Sequence, residues 1–193
     1  MFRNIVKNNR SYRKFQEGAD VKMGTLEDLV DLARQSASGM NLQALKYILV
    51  TGKEKREQIY PNIKWAAYLK DRGGPKIGER PSSFIMVFKD ESMKNSPVAQ
   101  IDLGIACQTI LLGATEKGLG GCMIGAFNYE AIKSAFQIED QYKLQLIIAI
   151  GKPNQNIVID EIGNDGDIKY WEDKDGNHHV PKRKLEDIII TRD

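Results

Sequence analysis

Apolar residues recur at helical spacing in several stretches of the chain. The first predicted helix begins at Thr25, whose hydroxyl can cap it with Asp28 as capping-box partner, and it ends before the polar loop 36–39. Leu26 and Ala33 belong to its apolar stripe. The other predicted helices cover residues 54–60, 63–70, 97–117 and 129–136.

Short apolar runs bounded by turn residues predict β-strands between these helices. The predicted strands are 47–51, 83–88, 121–124, 144–150 and 157–159. Segments 168–172 and 177–180 flank an Asp-Gly pair and predict a hairpin. The tail Ile188–Ile190 is predicted as a terminal strand that pairs in its own sheet or in a neighbouring molecule's. This order predicts one α+β domain, residues 1–193, with a mostly antiparallel sheet.

The predicted helix 97–117 has apolar residues around most of its circumference. Pro97 suits its first turn, and Gly118 follows its end. A helix that is apolar nearly all round is buried. In a chain of this length, that pattern predicts packing against both its own core and a second subunit.

Composition narrows the class of protein. The formal net charge of the 193 residues is +2, which gives no overall basic field for nucleic acid. Cys107 and Cys122 are too few for a disulfide framework and fit a reducing compartment. The N-terminus lacks the apolar stretch of a signal peptide. The apolar run Leu144–Ile150 is too short to span a bilayer. We expect a cytoplasmic protein without membrane or nucleic-acid partners.

Two familiar kinds of site are disfavoured. The run Gly118–Cys122 does not match G-x-G-x-x-G and follows a helix, so it predicts a helix end and a turn and not a dinucleotide loop. His178 and His179 are adjacent, and neighbours on a strand point to opposite faces. They cannot chelate one metal ion together.

Three polar segments are candidates for ligand binding. The basic clusters Arg10–Lys14 and Lys182–Lys184 could together surround a phosphate, although each alone is also typical of a solvated surface. The polar loop 36–43 could bind the edge of a heteroaromatic ring, or be an ordinary connection. Composition alone does not decide between these alternatives.

Five short segments, in order along nearly the whole chain, resemble motifs of the nitroreductase family of FMN-dependent enzymes. The first resembles the family's opening Arg-Arg-Ser-x-Arg-x-Phe, and the second its Ser-Pro-Ser-x-x-Asn-x-Gln-Pro loop. The segments are Arg10-Ser11-x-Arg13-Lys14-Phe15, Ser36-x-Ser38-Gly39-Met40-Asn41-x-Gln43, the central helix Asp102–Gly118 with its exit Gly118-Leu119-Gly120, Ile148-Ala149-Ile150-Gly151-Lys152-Pro153, and Pro181-Lys182-x-Lys184-Leu185.

The resemblance implies an FMN site built from three parts of the chain. The residues expected near the phosphate, ribityl chain and pyrimidine edge are Arg10, Ser11 and Arg13, with Lys182 and Lys184 closing on the phosphate. Those expected at the isoalloxazine, some from the partner subunit, are Ser38, Asn41 and Gln43. The backbone of Gly125 and Ala126 is expected near flavin N5. No catalytic acid or base is required of the side chains, because the flavin carries the chemistry.

The resemblance also implies an activity and an assembly. It predicts an intertwined homodimer with an exchanged C-terminal arm, which transfers hydride from NAD(P)H through FMN to nitroaromatic, quinone or related acceptors by a ping-pong mechanism. The alternatives are a flavin-cleaving or dehalogenating enzyme of the same fold, or a flavin-binding protein without turnover. Asn9, Ala37 and Ala44 depart from the family motifs. The loop Gly73–Pro81 is expected to shape access of the acceptor.

Overall fold

The computed structural model describes residues 1–69, 74–93 and 98–191. Its helices are α1 Phe2–Asn8, α2 Met23–Arg34, α3 Lys53–Ile59, α4 Ala99–Glu116, α5 Tyr129–Phe136 and α6 Leu185–Ile188, with short 3-10 turns at Gly39–Asn41 and Tyr60–Asn62. Its strands are β1 Leu45–Val50, β2 Ser83–Asp90, β3 Gly120–Ile124, β4 Tyr142–Gly151, β5 Ile157–Glu161, β6 Trp171–Glu172 and β7 His178–Lys182. The α+β prediction is confirmed.

The main sheet has four strands in the order β1-β2-β4-β3, and every neighbouring pair is antiparallel. Both of its faces are covered. On one face, Ile85 and Ile148 pack against α2 and α4, and on the other, Phe84 and Ile147 pack against residues of α3 and α5. Because successive side chains of a strand point to opposite faces and both faces are covered, the central strands have uninterrupted apolar runs, Phe84–Phe88 in β2 and Leu146–Ile150 in β4.

Helix α4 ends in the turn that the glycines predicted. Gly118 has a φ of 70°, in the left-handed region that glycine adopts at little cost. The N–H of Gly118 donates to the carbonyl of Thr115, and the N–H of Leu119 donates to that of Ala114. These two bonds form a Schellman motif, which confirms a helix end and not a nucleotide loop. The predicted first residue of this helix, Pro97, lies outside the described residues.

A second sheet has three strands in the order β5-β7-β6. Among the described residues, none of these strands is paired with a strand of the main sheet. Strands β6 and β7 form the predicted hairpin, and Gly176 in their turn has a φ of 82°. Strand β5 pairs with β7 in parallel. Within the described parts of the chain, no helix combines the length and hydrophobicity needed to cross a bilayer.

Two helix predictions were wrong. Helix α2 begins at Met23, because the N–H of Thr25 already bonds the carbonyl of Lys22, so Thr25 lies inside the first turn and does not cap it. The predicted helix 63–70 is absent over 63–69, and Lys70 lies outside the described residues. Its first residue, Ile63, instead forms a β-bridge with Phe127. The tertiary pairing overrides the local helical spacing.

The predicted terminal strand Ile188–Ile190 was also wrong for the single chain. Ile188 instead ends the short helix α6, and residues 189 and 190 belong to neither a helix nor a strand. Ile188 and Ile190 are 61% and 101% exposed. Strand β1 lies at an edge of the main sheet, with β2 as its neighbour among the strands of the described residues. Neither the tail nor that edge finds a partner strand within this part of the chain.

Candidate functional site

The segment from Asn9 to Gln16, between α1 and α2, is fixed to the main sheet by its backbone. The N–H of Tyr12 donates to the carbonyl of Gly121 at 3.0 Å, and that of Gln16 donates to Lys152 at 2.9 Å. Phe15 is fully buried and forms a β-bridge with Pro153. The polar residues of the segment are therefore presented from a rigid backbone.

Gly121 makes this attachment sterically feasible. A Cβ atom at this position would lie 2.5 Å from the carbonyl oxygen of Ala149 and 2.6 Å from Cδ2 of Leu111. The first of these neighbours is backbone and cannot turn away. Only glycine at position 121 therefore allows β3 to pack this closely against β4 and α4. In this position, the carbonyl of Gly121 accepts the hydrogen bond from the N–H of Tyr12.

A cavity of about 310 Å³ lies between this segment and the second sheet. Strand β7 contributes every second residue, as expected for one face of a strand. The lining residues are Asn9, Arg10, Ser11, Arg13, Tyr170, His178, Val180 and Lys182. The two basic clusters at opposite ends of the sequence thus meet at one cavity.

The cavity is electropositive. Arg10, Arg13 and Lys182 line it, and none of its lining residues in the described chain is acidic. The guanidinium of Arg10 donates from Nη2 to the carbonyl of Val6 at 3.0 Å and from Nε to that of Asn9. These bonds anchor Arg10 at the end of α1.

The side chain of Arg13 contacts three other lining residues of the cavity. Its Nη1 lies 3.3 Å from the carbonyl oxygen of Ser11 and 3.2 Å from Nε2 of His178, and its guanidinium lies 4.7 Å from the centre of the Tyr170 ring. Its Nε is buried and has no hydrogen-bond partner among the described residues. Burial, reinforced by the charge of Arg13, lowers the pKa of His178 to about 4, so this imidazole is neutral at pH 7.

A second polar site lies in the loop between α2 and β1. Ser38 donates from Oγ to Asp102 of α4 at 3.0 Å, and the Gly39 N–H donates to the other oxygen of the same carboxylate at 2.9 Å. The N–H of Gln43 in turn donates to Oγ of Ser38 at 3.1 Å. Asn41 and Gln43 have φ values of 53° and 51°, and this bonding stabilises the unusual backbone.

Comparison with known proteins identifies the chain. The Nitroreductase family model matches residues 6–152. The chain belongs to the nitroreductase family. It is therefore an oxidoreductase, and the sequence-based resemblance is confirmed.

Nitroreductase relatives cover most of the chain. YodC of Bacillus subtilis, described as an NAD(P)H nitroreductase, is 22% identical over 77% of this chain and 87% of its own. A nitroreductase family protein of Clostridium novyi is 27% identical, with a TM-score of 0.66 over 79% of this chain and 86% of its own. A family protein of Streptococcus pneumoniae has a TM-score of 0.72 over the whole of both chains at 15% identity. The fold therefore extends beyond residue 152.

Two further similarities concern ligands and reactions. A nitroreductase of Exiguobacterium sibiricum, solved in complex with FMN, has a TM-score of 0.65 at 20% identity and covers 80% of this chain and 89% of its own. An iodotyrosine deiodinase of Thermotoga neapolitana is 22% identical over 80% of this chain and 89% of its own. Nitroreductase relatives thus include both an FMN complex and a dehalogenating enzyme.

The single nitroreductase chain brings together only part of the predicted site. Arg10, Ser11, Arg13 and Lys182 line one cavity. Lys184 lies outside that lining and forms an ion pair with Glu161 at 3.1 Å. The other predicted residues lie at two further places, namely the loop bearing Ser38, Asn41 and Gln43 and the exposed turn after β3 bearing Gly125 and Ala126. Within the described residues, no hydrogen bond joins the loop or the turn to the cavity.

Four lining residues of the cavity were not among the predicted site residues: Asn9, Tyr170, His178 and Val180. Asn9 was named only as a departure from the family motif. In the sequence, the two histidines were considered only as ligands of one metal ion. The available signal was the alternation in β7, since His178, Val180 and Lys182 must share a face once the segment is a strand. As predicted, His179 points the other way, where its ring stacks on that of Trp171 at 4.1 Å.

Proposed function

We propose that the protein is an FMN-dependent oxidoreductase that oxidises NAD(P)H and reduces nitroaromatic, quinone or related acceptors. The observation that carries this proposal is the meeting of Arg10, Ser11 and Arg13 with Lys182 at one cavity. Family membership and the FMN complex of a structural neighbour support the choice of cofactor. The description of YodC as a nitroreductase supports nitroaromatic acceptors, and the quinone class comes from the family resemblance.

The donors of the cavity fit a phosphate group. Two guanidinium groups, one ammonium and one hydroxyl provide charge-assisted hydrogen bonds, and no carboxylate among the lining residues opposes an anion. The unpartnered Nε of Arg13 also favours a ligand, because a buried donor without an acceptor costs about 1–3 kcal/mol. An acceptor atom of the bound molecule would remove this cost.

The residues bind and orient, while the cofactor supplies the redox chemistry. When bound, FMN would accept hydride from NAD(P)H and pass the electrons to the acceptor. Arg10 and Lys182 would hold the anionic end of the cofactor. Arg13 is permanently charged and favours negative charge in the cavity. No side chain of this chain is assigned as a catalytic acid or base.

A second copy of the chain completes the assembly that we propose. Ile101 and Ile105 of α4 are 59% and 36% exposed, and Ile188 and Ile190 of the tail are exposed as well. The tail can add to the free edge of β1 in the other copy, where backbone hydrogen bonds are available. In such a dimer, the Ser38 loop of one copy would approach the cavity of the other, as the family resemblance implies.

The proposal is tested with the purified protein. The fluorescence of FMN should be quenched when it binds, and FMN should bind more tightly than riboflavin. Addition of NADH or NADPH under anaerobic conditions should bleach the absorbance of the bound flavin. A single cavity for both substrates predicts parallel lines in double-reciprocal plots with menadione or nitrofurazone as acceptor. A protein that does not retain FMN contradicts the cofactor assignment, and one that binds FMN without NAD(P)H turnover is a flavin-binding protein instead.

Dehalogenation is a second candidate, favoured by the similarity to the Thermotoga deiodinase. Release of iodide from 3-iodotyrosine by the dithionite-reduced protein, measured with an ion-selective electrode, separates it from nitroreduction. Loss of FMN itself, with formation of a benzimidazole product, would identify the flavin-cleaving alternative. Stable flavin and no iodide leave the nitroreductase proposal standing.

A further inference from the structure

His178 contacts the side chain of Arg13 and lies beside Tyr170. Its Nε2 is 3.2 Å from Nη1 of Arg13, and its ring centre is 5.2 Å from that of Tyr170, over which the guanidinium of Arg13 also lies. His178 itself is fully buried. A planar cation that is stacked on one ring and hydrogen-bonded to another has little rotational freedom.

The hydrogen bond between Arg13 and His178 has only one possible direction. A guanidinium has donors and no acceptor, and it stays protonated in proteins. Nε2 of His178 must therefore accept, which places the imidazole proton on Nδ1. The lowered pKa of His178 agrees with this neutral form.

The bond leaves specific donors for a ligand. It uses Nη1 of Arg13, whereas Nε of Arg13 and Nδ1 of His178 are buried without hydrogen-bond partners in the described chain. Both residues line the same cavity. Buried donors are normally satisfied, so the unpartnered Nε of Arg13 at the wall of this cavity fits a bound molecule that supplies an acceptor.

We propose that His178 is a positioning residue for flavin binding, which acts by holding the Arg13 guanidinium in the orientation that meets the acceptor atoms of FMN. This inference rests on the proposed function. An Arg13 side chain that is already fixed loses little freedom when the ligand binds. A fixed cation also favours reduction of the bound flavin, because reduction adds negative charge.

The test compares three variants. His178→Phe keeps a ring and removes the acceptor, His178→Gln keeps an acceptor, and His179→Phe alters the other face of the same strand. We expect His178→Phe to weaken FMN binding about tenfold, as for one disrupted charged hydrogen bond, and to make the midpoint potential of the bound flavin more negative. His178→Gln should restore most of both quantities, and His179→Phe should leave them near the wild-type values.

The outcomes separate this proposal from the proposed function. Equal FMN affinity and potential in His178→Phe and His179→Phe would overturn the positioning role while leaving FMN binding intact. Failure of the wild-type protein to bind FMN would overturn the proposed function. If His178→Phe does not fold, ¹⁵N NMR of the wild-type imidazoles decides. The proposal requires a neutral His178 protonated on Nδ1 at pH 7, and the opposite tautomer or a charged ring would contradict it.

Discussion

The ammonium group of Lys14 lies 3.0 Å from a carboxylate oxygen of Glu172, and this ion pair joins the N-terminal segment to strand β6. The side chains of Lys14 and Glu172 are 18% and 7% exposed. Because both are largely shielded from water, their attraction is screened less than that of a surface pair. The pair therefore holds together the two walls of the cavity.

Breaking this pair should destabilise the protein. We expect Lys14→Met and Glu172→Gln each to lower the free energy of unfolding by about 1.5–3 kcal/mol, measured by urea denaturation. The double variant should lose less than the sum, because the two residues share one interaction. The exposed pair Arg34–Asp31 serves as a control, and Arg34→Met should change the stability little. Additive effects of Lys14→Met and Glu172→Gln would show that the pair is not coupled.

The two C-terminal lysines should differ in phosphate binding. Lys182 lines the cavity, whereas Lys184 pairs with Glu161. We expect Lys182→Ala to weaken FMN binding about tenfold and to leave riboflavin binding unchanged, since riboflavin has no phosphate. Lys184→Ala should have the smaller effect on FMN. Fluorescence titration of both ligands measures this difference. An equal loss of riboflavin affinity in Lys182→Ala would contradict the phosphate assignment.

The second sheet should carry a pH-dependent contribution from His179. Its Nδ1 lies 2.7 Å from Asp160, and its Nε2 lies 3.3 Å from Asp173. Burial opposes the charge of His179, but the hydrogen bonds and charges of the two carboxylates outweigh it and raise the pKa of His179. The side-chain hydrogen bond from Asn177, followed by further hydrogen bonds, lowers the pKa of Asp173 to about 2, so this carboxylate stays charged in mild acid.

The sign of the effect follows from the raised pKa. The contribution of His179 is fully present below the ordinary imidazole pKa of about 6.5 and is lost as the pH rises through the higher value of the folded protein. We therefore expect the stability difference between wild type and His179→Gln to be largest at about pH 5.5 and to shrink towards about pH 9, measured by urea denaturation. Because the pKa of His178 is lowered, its contribution to stability changes with pH in the opposite direction. The difference between wild type and His179→Gln isolates the contribution of His179. A difference that is constant with pH would exclude a charged His179.

The exposed isoleucines of α4 should lie in a dimer interface. We expect Ile105→Glu to convert a dimer to a monomer in sedimentation experiments, because burying an unpaired carboxylate is costly. Ile168→Glu, at an equally apolar residue that is 53% exposed outside α4 and the tail, is the control and should remain dimeric. A dimeric, FMN-loaded Ile105→Glu protein would show that this face of α4 is not the interface.

Local signals were sufficient for most of the main sheet and for α5. Helix α5 covers Tyr129–Phe136 as predicted, and Asn128 caps it by accepting the N–H of Ala131. Strand β2 could be predicted because its residues Phe84–Phe88 are apolar without interruption and polar or turn residues flank them. In these elements, the local preference and the tertiary environment favour the same conformation.

Other features depend on distant partners and leave no local signal. Ile63 has helical spacing with its neighbours but pairs with Phe127, so its conformation is decided by the turn after β3. Arg13 was predicted as a site residue from a motif, whereas its contact with His178 is a tertiary contact across 165 positions. The tail Ile188–Ile190 has the composition of a strand, but an isolated strand is not stable without a partner.

The two walls of the cavity lie far apart in the sequence, and this has a consequence during protein synthesis. Arg13 leaves the ribosome 165 residues before His178, which at about 5–20 residues per second corresponds to roughly 8–30 s. During that interval, the first wall is present without the second. A flavin that needs both walls can be captured only after the second wall with His178 has been synthesised, so cofactor supply should affect maturation after that point and not the elongation before it.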